Sequence, residues 1–449
     1  MGITIIQKSD LSIRKRDAKV ALVLSGGALT GGAFKLGGLK ALDDFLINRK
    51  VTDFDLYVGL SAGAMLGAPL AAGVNPTEML RALDGTSVQF SRFMPGDFYS
   101  LNTDELMNKP VDYILDVMTY VPGIMLDLVA EMPELIDSVK PALAGLQKSP
   151  SLGAMQDVMG PLVNALLSRR FPMPHYYLPS GLFDNVTIEH YLRKNLEVNG
   201  FPNDFRSLHR HTGKELYITA MNLDTAERVV FGHDEETSLT VSEAVQASTA
   251  LPGFYKPARI NGVDYVDGGV RRTASIDVAI EHNADLIICY NPFRPFSNRV
   301  THRYIPEKGK FVTEGQRLAD QGVMTVVNQC FRTLLHSRLQ YGLRQYQEDS
   351  NFTGDIIVIE PTEHDTRFFT MNPLAFWEGP RAGRHGYVSV TQSIETHYEI
   401  FKQILQSYGI LMTRREVREG LEKMRRFTSN EQSSDVLMRE VPRRDLDVA

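Results

Sequence analysis

Residues 56–72 read LYVGLSAGAMLGAPLAA, and their order decides the fold. The apolar run Leu56–Leu60 stops at Ser61, and a stretch of small residues, Ala62–Ala72, takes over at once. A short apolar run that ends at a loop residue is how a buried parallel strand reads. The small residues after it predict a helix packed closely on the sheet. The junction, Gly59-Leu60-Ser61-Ala62-Gly63, has the form G-x-S-x-G. Where a strand turns straight into a helix, the serine sits in a tight, strained turn. The residues two before and two after it must be tiny, and its Oγ stands clear of the sheet. The helix that follows presents backbone N–H groups and its positive end to charge developing there. Ser61 is therefore the candidate nucleophile, and Gly59 and Gly63 form its elbow. An ordinary glycine-rich turn is the plain alternative.

One strand–helix unit earlier, Val20–Leu24 is another apolar run, followed by Ser25-Gly26-Gly27-Ala28-Leu29-Thr30-Gly31-Gly32 and a helical pattern of Phe34, Leu36, Leu39, Leu42, Phe45 and Leu46. Strand, loop and helix repeated in this way indicate an α/β sheet with right-handed crossovers. Further strands are expected at Glu215–Met221, Arg228–Phe231, Asp285–Tyr290 and Asp355–Ile359. Thr240 and Glu243 have capping-box spacing at the start of a helix over about 242–250, which Pro252 and Gly253 end. A helix is also expected over Ile394–Tyr408.

The glycine loop can cradle an anion with its amides. Its spacing suits a dinucleotide fingerprint poorly, and no Gly-Lys-Ser/Thr follows to make a phosphate loop. Beside a nucleophile elbow it reads as an oxyanion hole, with Gly26, Gly27 and Ala28 as donors. A third segment, Val266-Asp267-Gly268-Gly269, places a carboxylate at a strand end before two glycines. It reads equally as a common turn or as the base that Ser61 needs.

Together these pieces resemble the patatin-like phospholipase family. The likeness is close at Gly59–Gly63, at Gly37-Gly38-Leu39-Lys40-Ala41-Leu42, and from Ala247-Ser248-Thr249-Ala250-Leu251-Pro252-Gly253-Phe254-Tyr255-Lys256-Pro257 through Tyr265–Gly269. Leu182-Phe183-Asp184 and Thr219–Thr225 also look like family segments. The resemblance covers most of residues 20–295 and weakens toward 410. It implies a three-layer α/β/α fold with a mainly parallel central sheet, carrying a helical insertion. It implies that Ser61 attacks and Asp267 accepts its proton, without a histidine, and that the glycine loop holds the oxyanion. It implies cleavage of acyl esters of phospholipids or related lipids, with no cofactor and no metal. The chain departs from the family at that loop, where Ala28-Leu29-Thr30-Gly31-Gly32 follows Gly26-Gly27 in place of a third glycine, a small residue and Arg-Gly, with no arginine and one extra residue. Whether Ala28 can serve turns on the sign of its φ, since only glycine takes positive values freely.

The rest of the chain sets limits. Its 449 residues carry a net charge of −6, with 43% hydrophobic and 23% charged residues. That balance gives no electrostatic reason for a nucleic-acid partner. No apolar run is long enough for a membrane span and the first residues lack a signal-peptide core. A cytoplasmic protein is expected, peripheral at the inner face of a membrane, that meets its lipid substrate by transient surface contact. Cys289 and Cys330 read as two buried thiols. Residues 1–17 read as an extension, 18–410 as the catalytic domain and 86–180 as a Met-, Pro- and Leu-rich insertion of short helices, such as one within Tyr113–Val129. That insertion suits either a cap or added packing. Residues 411–449 read as a charged helix near Arg415–Arg426 and then a disordered tail. Homo-oligomerisation through helices after Phe311 stays open. So do two other functions: a Ser-Asp-His esterase using His282, His336 or His385, and a lipid-binding scaffold. Transfer of the acyl group to an alcohol is a variant of hydrolysis.

Overall fold

The computed structural model describes residues 2–15, 17–148, 177–305, 310–426 and 437–444. It divides into two compact units, Met1–Ser100 with Phe183–Ala449, and Leu101–Leu182. The larger unit is built on a sheet of β1 (Ile3–Gln7), β2 (Val20–Leu24), β3 (Leu56–Gly59), β4 (Glu215–Asn222), β5 (Arg228–Phe231), β6 (Ala258–Ile260), β7 (Val263–Asp267), β8 (Leu286–Tyr290) and β9 (Asp355–Ile359). In space the order is β1-β9-β8-β2-β3-β4-β7-β6, with β5 paired to β4. The five strands β9, β8, β2, β3 and β4 run parallel. Antiparallel strands finish both edges. The fold is thus α/β with a largely parallel central sheet.

The parallel strands are mostly apolar, apart from Asp355 in β9 and Glu215, Thr219 and Asn222 in β4, because helices cover both faces and neither needs polar alternation. All five residues of β2, of β8 and of β9 are buried. Each such Val, Leu or Ile contributes about 1.5–3 kcal/mol by leaving water. On one face α1 (Ala28–Phe45) packs against α2 (Ala62–Ala72) and against a late helix, Gly379–Thr396. The last contact explains why α1 tolerates glycines in its middle. A Cβ at Gly37 would lie 1.8 Å from the Gly383 carbonyl oxygen, and one at Gly386 would lie 2.0 Å from that of Phe34. Two backbones meet where side chains cannot fit.

Several expectations change. The segment before residue 18 supplies β1, whose Ile3–Gln7 pairs with Asp355–Ile359. The helix expected over Ile394–Tyr408 is two, Gly379–Thr396 and Tyr398–Ser407, separated at His397, where φ is −110° and ψ is 17°. Cys289 is buried but Cys330 is exposed, because it faces solvent on the helix Val323–Glu348. Part of the tail is ordered. Leu437 is only 2% exposed and the Met438 carbonyl accepts a hydrogen bond from Arg81. Arg444 donates to Glu416, so one apolar anchor and its polar neighbours hold an otherwise charged segment. Residues 427–436 and 445–449 of the expected tail lie outside the described residues.

Among the described residues of the smaller unit, Thr103–Lys148 forms one long helix where short ones were expected. It runs through Pro110, Pro122, Pro133 and Pro141, each of which removes one donor from the helix. Residues 149–176 of the expected insertion lie outside the described residues. Among the described residues, no helix is long and apolar enough to cross a membrane.

Candidate active site

Strand register brings the candidate nucleophile, Ser61, to the Asp267 carboxylate. Gly59 pairs with Ile218 of β4, and Asp267 pairs with Ala220, two residues further along. Ser61 follows Gly59 by two residues, so it ends level with Asp267 on the opposite side of β4. The Ser61 hydroxyl lies beside the Asp267 carboxylate and favours its charged form. That carboxylate accepts a hydrogen bond of 2.8 Å from the Gly269 N–H. Burial pushes Asp267 up to about 6, against the opposing pull of Ser61, of the Gly269 N–H and of the Lys35 charge. A carboxylate with that value is a competent base near neutral pH.

The elbow is strained as its sequence requires. Ser61 has φ 54° and ψ −127° at the N-terminus of α2. A Cβ at Gly63 would lie 2.0 Å from the Leu24 carbonyl oxygen, and one at Gly59 would lie 2.6 Å from the Cα of Ala64. Strain of this kind costs on the order of 1–3 kcal/mol and persists only where neighbours over-determine it. One of those neighbours is Ser248, which the sequence reading passed over inside a longer matching segment. Its Oγ accepts the Ser61 N–H at 2.8 Å and donates to the Thr219 carbonyl at 2.7 Å, tying the elbow to β4. The helix Val241–Thr249 carries Ser248 and begins with the expected capping box of Thr240 and Glu243. Gly268 fits against the same strand, since a Cβ there would meet the Thr219 oxygen at 2.5 Å.

The glycine loop lies against Ser61: a Cβ at Gly26 would be 3.3 Å from that of Ser61 and 3.1 Å from the Phe293 ring. Leu29 and Thr30 spend their N–H groups on the Pro373 carbonyl, at 3.1 and 3.2 Å, and Gly31 donates to Gly27. The N–H groups of Gly26, Gly27 and Ala28 meet no acceptor among the described residues. Nor does that of Ala62 in the elbow, a donor the sequence reading did not name. Ala28 answers the question its identity raised: its φ is +52°. The alanine occupies the left-handed region at a cost of about 1 kcal/mol, and the loop keeps the conformation a glycine would take.

Behind the loop stands a second residue missed in sequence. Lys35, on α1, is 1% exposed. Its Nζ donates to the Gly26 carbonyl at 3.0 Å and to that of Ser25. Desolvation pushes it down to about 7. A lysine is ordinarily read as exposed, but its place among Phe34, Leu36 and Leu39, with Gly31, Gly32, Gly37 and Gly38 nearby, signals a helix packed on all sides.

The three candidate histidines are engaged elsewhere. His282 bonds the Val278 carbonyl and lies 3.4 Å from Glu235, His336 lies 3.4 Å from Glu360, and His385 lies 2.6 Å from Asp365. Among the described residues, no group of three or more His, Cys, Asp and Glu side chains could hold a metal ion.

Residues 22–280, more than half the chain, match the family model of patatin-like phospholipases. The chain belongs to the patatin-like phospholipase family. The match contains Gly26, Gly27, Ala28, Ser61 and Asp267. A stretch of 105 residues is 25% identical to the probable lipid hydrolase 463L of Invertebrate iridescent virus 6, covering 23% of this chain and 36% of that one. The chain thus spans about a third of the length of that viral relative. Among solved structures it is similar to VipD from Legionella pneumophila, at 16% identity over 95% of this chain and 79% of that one, with a TM-score of 0.34. It is also similar to ExoU in complex with SpcU from Pseudomonas aeruginosa, at 16% identity over 94% and 64%, with a TM-score of 0.26.

Proposed function

We propose that this family member is a serine acyl hydrolase that cleaves ester bonds of phospholipids or related lipids, of the phospholipase A or lysophospholipase type. The observation that carries the reading is the buried Asp267 carboxylate beside the hydroxyl of a strained Ser61, with amides alongside that meet no acceptor among the described residues. Ser61 Oγ attacks the ester carbonyl as its proton passes to Asp267. The N–H groups of Gly26, Gly27 and Ala28 hold the oxyanion. Collapse expels the alcohol, which takes the proton from Asp267, and leaves an acyl-serine. Asp267 then takes a proton from water, whose oxygen attacks the acyl group. The fatty acid leaves as Ser61 recovers its proton. The substrate is met at a lipid surface by transient contact.

The test compares wild type with Ser61→Ala on mixed membrane lipids, reading released fatty acids and lysolipids, and labels Ser61 with a fluorophosphonate. Fatty-acid release and labelling that both vanish in Ser61→Ala are expected. Equal release by the two proteins would overturn the nucleophile. A wild type that neither labels nor hydrolyses would leave a lipid-binding scaffold as the function.

A further inference from the structure

We infer that Lys35 is a positioning residue of the oxyanion site: its buried ammonium holds the Ser25 and Gly26 carbonyls on the protein side of the loop and so turns the Gly26 and Gly27 N–H groups toward the acyl oxygen at Ser61. The inference rests on the Ser61–Asp267 reading above.

Peptide geometry makes the connection. The chain has no cis peptide bond among the described residues. In a trans peptide the C=O and the N–H of the next residue point in opposite directions. The Ser25 carbonyl shares its peptide with the Gly26 N–H, and the Gly26 carbonyl shares its peptide with the Gly27 N–H. A group that fixes both carbonyls from one side therefore fixes both N–H groups on the other. Lys35 Nζ binds both, and those two N–H groups are among the ones without an acceptor. The loop offers little of its own: from Ser25 to Gly27 it contains no cationic side chain, its two glycines have many conformations open to them, and the Ser25 hydroxyl reaches the Gly26 carbonyl only at 3.5 Å. Pro292 limits the loop from outside, lying 2.6 Å from where a Cβ of Gly27 would be, but it offers no donor.

The charge adds to the geometry. An ammonium buried in a helix core is costly unless its hydrogen bonds are met, and an apolar side chain of similar shape would avoid that cost. The charged form also places a positive centre behind the peptide dipoles that face the oxyanion, where low dielectric strengthens it. The titratable groups that face Lys35 are Asp267 from β7 and Cys289 from β8, whose thiol burial holds in its neutral form. Asp267 ionises as pH rises through about 6, and Lys35 loses its proton as pH rises through about 7. The rate should rise through the first and fall through the second.

The experiment uses the full chain, with p-nitrophenyl butyrate and phosphatidylcholine vesicles as substrates, and records kcat and KM against pH for wild type, Ser61→Ala, Lys35→Met and Lys35→Gln. Lys35→Met should lower kcat ~100-fold, the scale of one lost oxyanion donor, at nearly constant KM. Lys35→Gln keeps a donor without the charge; it should recover ~10-fold of that loss and lose the alkaline fall. Circular dichroism checks the fold, and if Lys35→Met does not fold the Lys35→Gln profile decides. A kcat of Lys35→Met within about threefold of wild type, or an unchanged alkaline limb in Lys35→Gln, would overturn the inference. Silence of Ser61→Ala beside a normal Lys35→Met would overturn the role of Lys35 alone, whereas an active Ser61→Ala would overturn the dyad on which it rests. If neither substrate turns over, the rate of fluorophosphonate labelling at Ser61 supplies the same comparison, and no labelling of wild type overturns both.

Discussion

Ser61 and Asp267 are held by strand register and by the helix that carries Ser248, whereas the Gly26–Ala28 amides depend on Lys35 of the following helix and on residues from two later loops. On the nucleophile side, register across β4, the Ser248 bridge and the fit of Gly63 against Leu24 set the geometry. On the oxyanion side, Lys35 reaches up from α1, Pro292 and Phe293 press from the loop after β8, and Pro373 takes the Leu29 and Thr30 amides. A site wall made of strands is fixed when the sheet forms. A wall made of a glycine-rich loop depends on the few groups that touch it, Lys35 among them. That difference predicts where single changes do most damage.

Asp267→Asn should break the nucleophile side most. By the proposed mechanism it should lower kcat on the order of 10⁴-fold, since the amide cannot take the serine proton. The same substitution has an opposite effect on stability. Burial raises Asp267 from 3.8 to about 6, so the folded protein keeps a proton there that the unfolded chain releases. Wild-type stability therefore falls as pH rises from about 4 through about 6, by on the order of 3 kcal/mol. An asparagine side chain at this position cannot ionise, so denaturant unfolding should show the variant more stable than wild type above that range. A variant that retains catalysis, or one less stable than wild type at alkaline pH, would break the comparison at its strongest point.

Ser248→Ala should act next. It strands the Ser61 N–H, a buried donor, at a cost of about 1–3 kcal/mol. Unfolding by urea should register that loss, and kcat should drop about 10-fold with KM little changed, because the elbow loosens without losing a reacting group. An unchanged kcat would mean that sheet register alone holds the nucleophile.

The smallest effect is expected at Ala28→Gly. At φ +52° alanine pays a steric cost that glycine does not, so the change should stabilise by about 1 kcal/mol in thermal unfolding. A destabilised variant would show that the Ala28 Cβ makes a contact worth more than its strain, and that this loop is packed as closely as the elbow.

Much of the nucleophile side was legible because its causes are local. The run Val20–Leu24, the helix Ala62–Ala72 and the capping box at Thr240 and Glu243 stand where the sequence places them. The resemblance added Asp267 to a serine that the motif alone had named. What the sequence left open belongs to the long range. Ser248 is an unremarkable helical serine until Thr219 and the Ser61 amide surround it. Lys35 stands in a helical pattern that does not show which side faces the Ser25 and Gly26 carbonyls. Cys330 follows a helical pattern whose exposed face cannot be told from its buried one, and Leu437 lies in a charged tail that nothing local anchors.

By itself, then, the sequence determined the strand–turn–helix junctions, the tight positions at Gly59 and Gly63, and Ser61 as the candidate nucleophile, all of which follow from periodicity and backbone sterics over a few residues. Asp267 as its expected partner came from the family resemblance. The tertiary structure alone decided that Ser61 and Asp267 meet across β4, that Ala28 takes a glycine's conformation, and that a lysine lies buried beneath the loop. Each of these depends on which segments, far apart in the chain, exclude water from one another, and burial of that kind has no local signature.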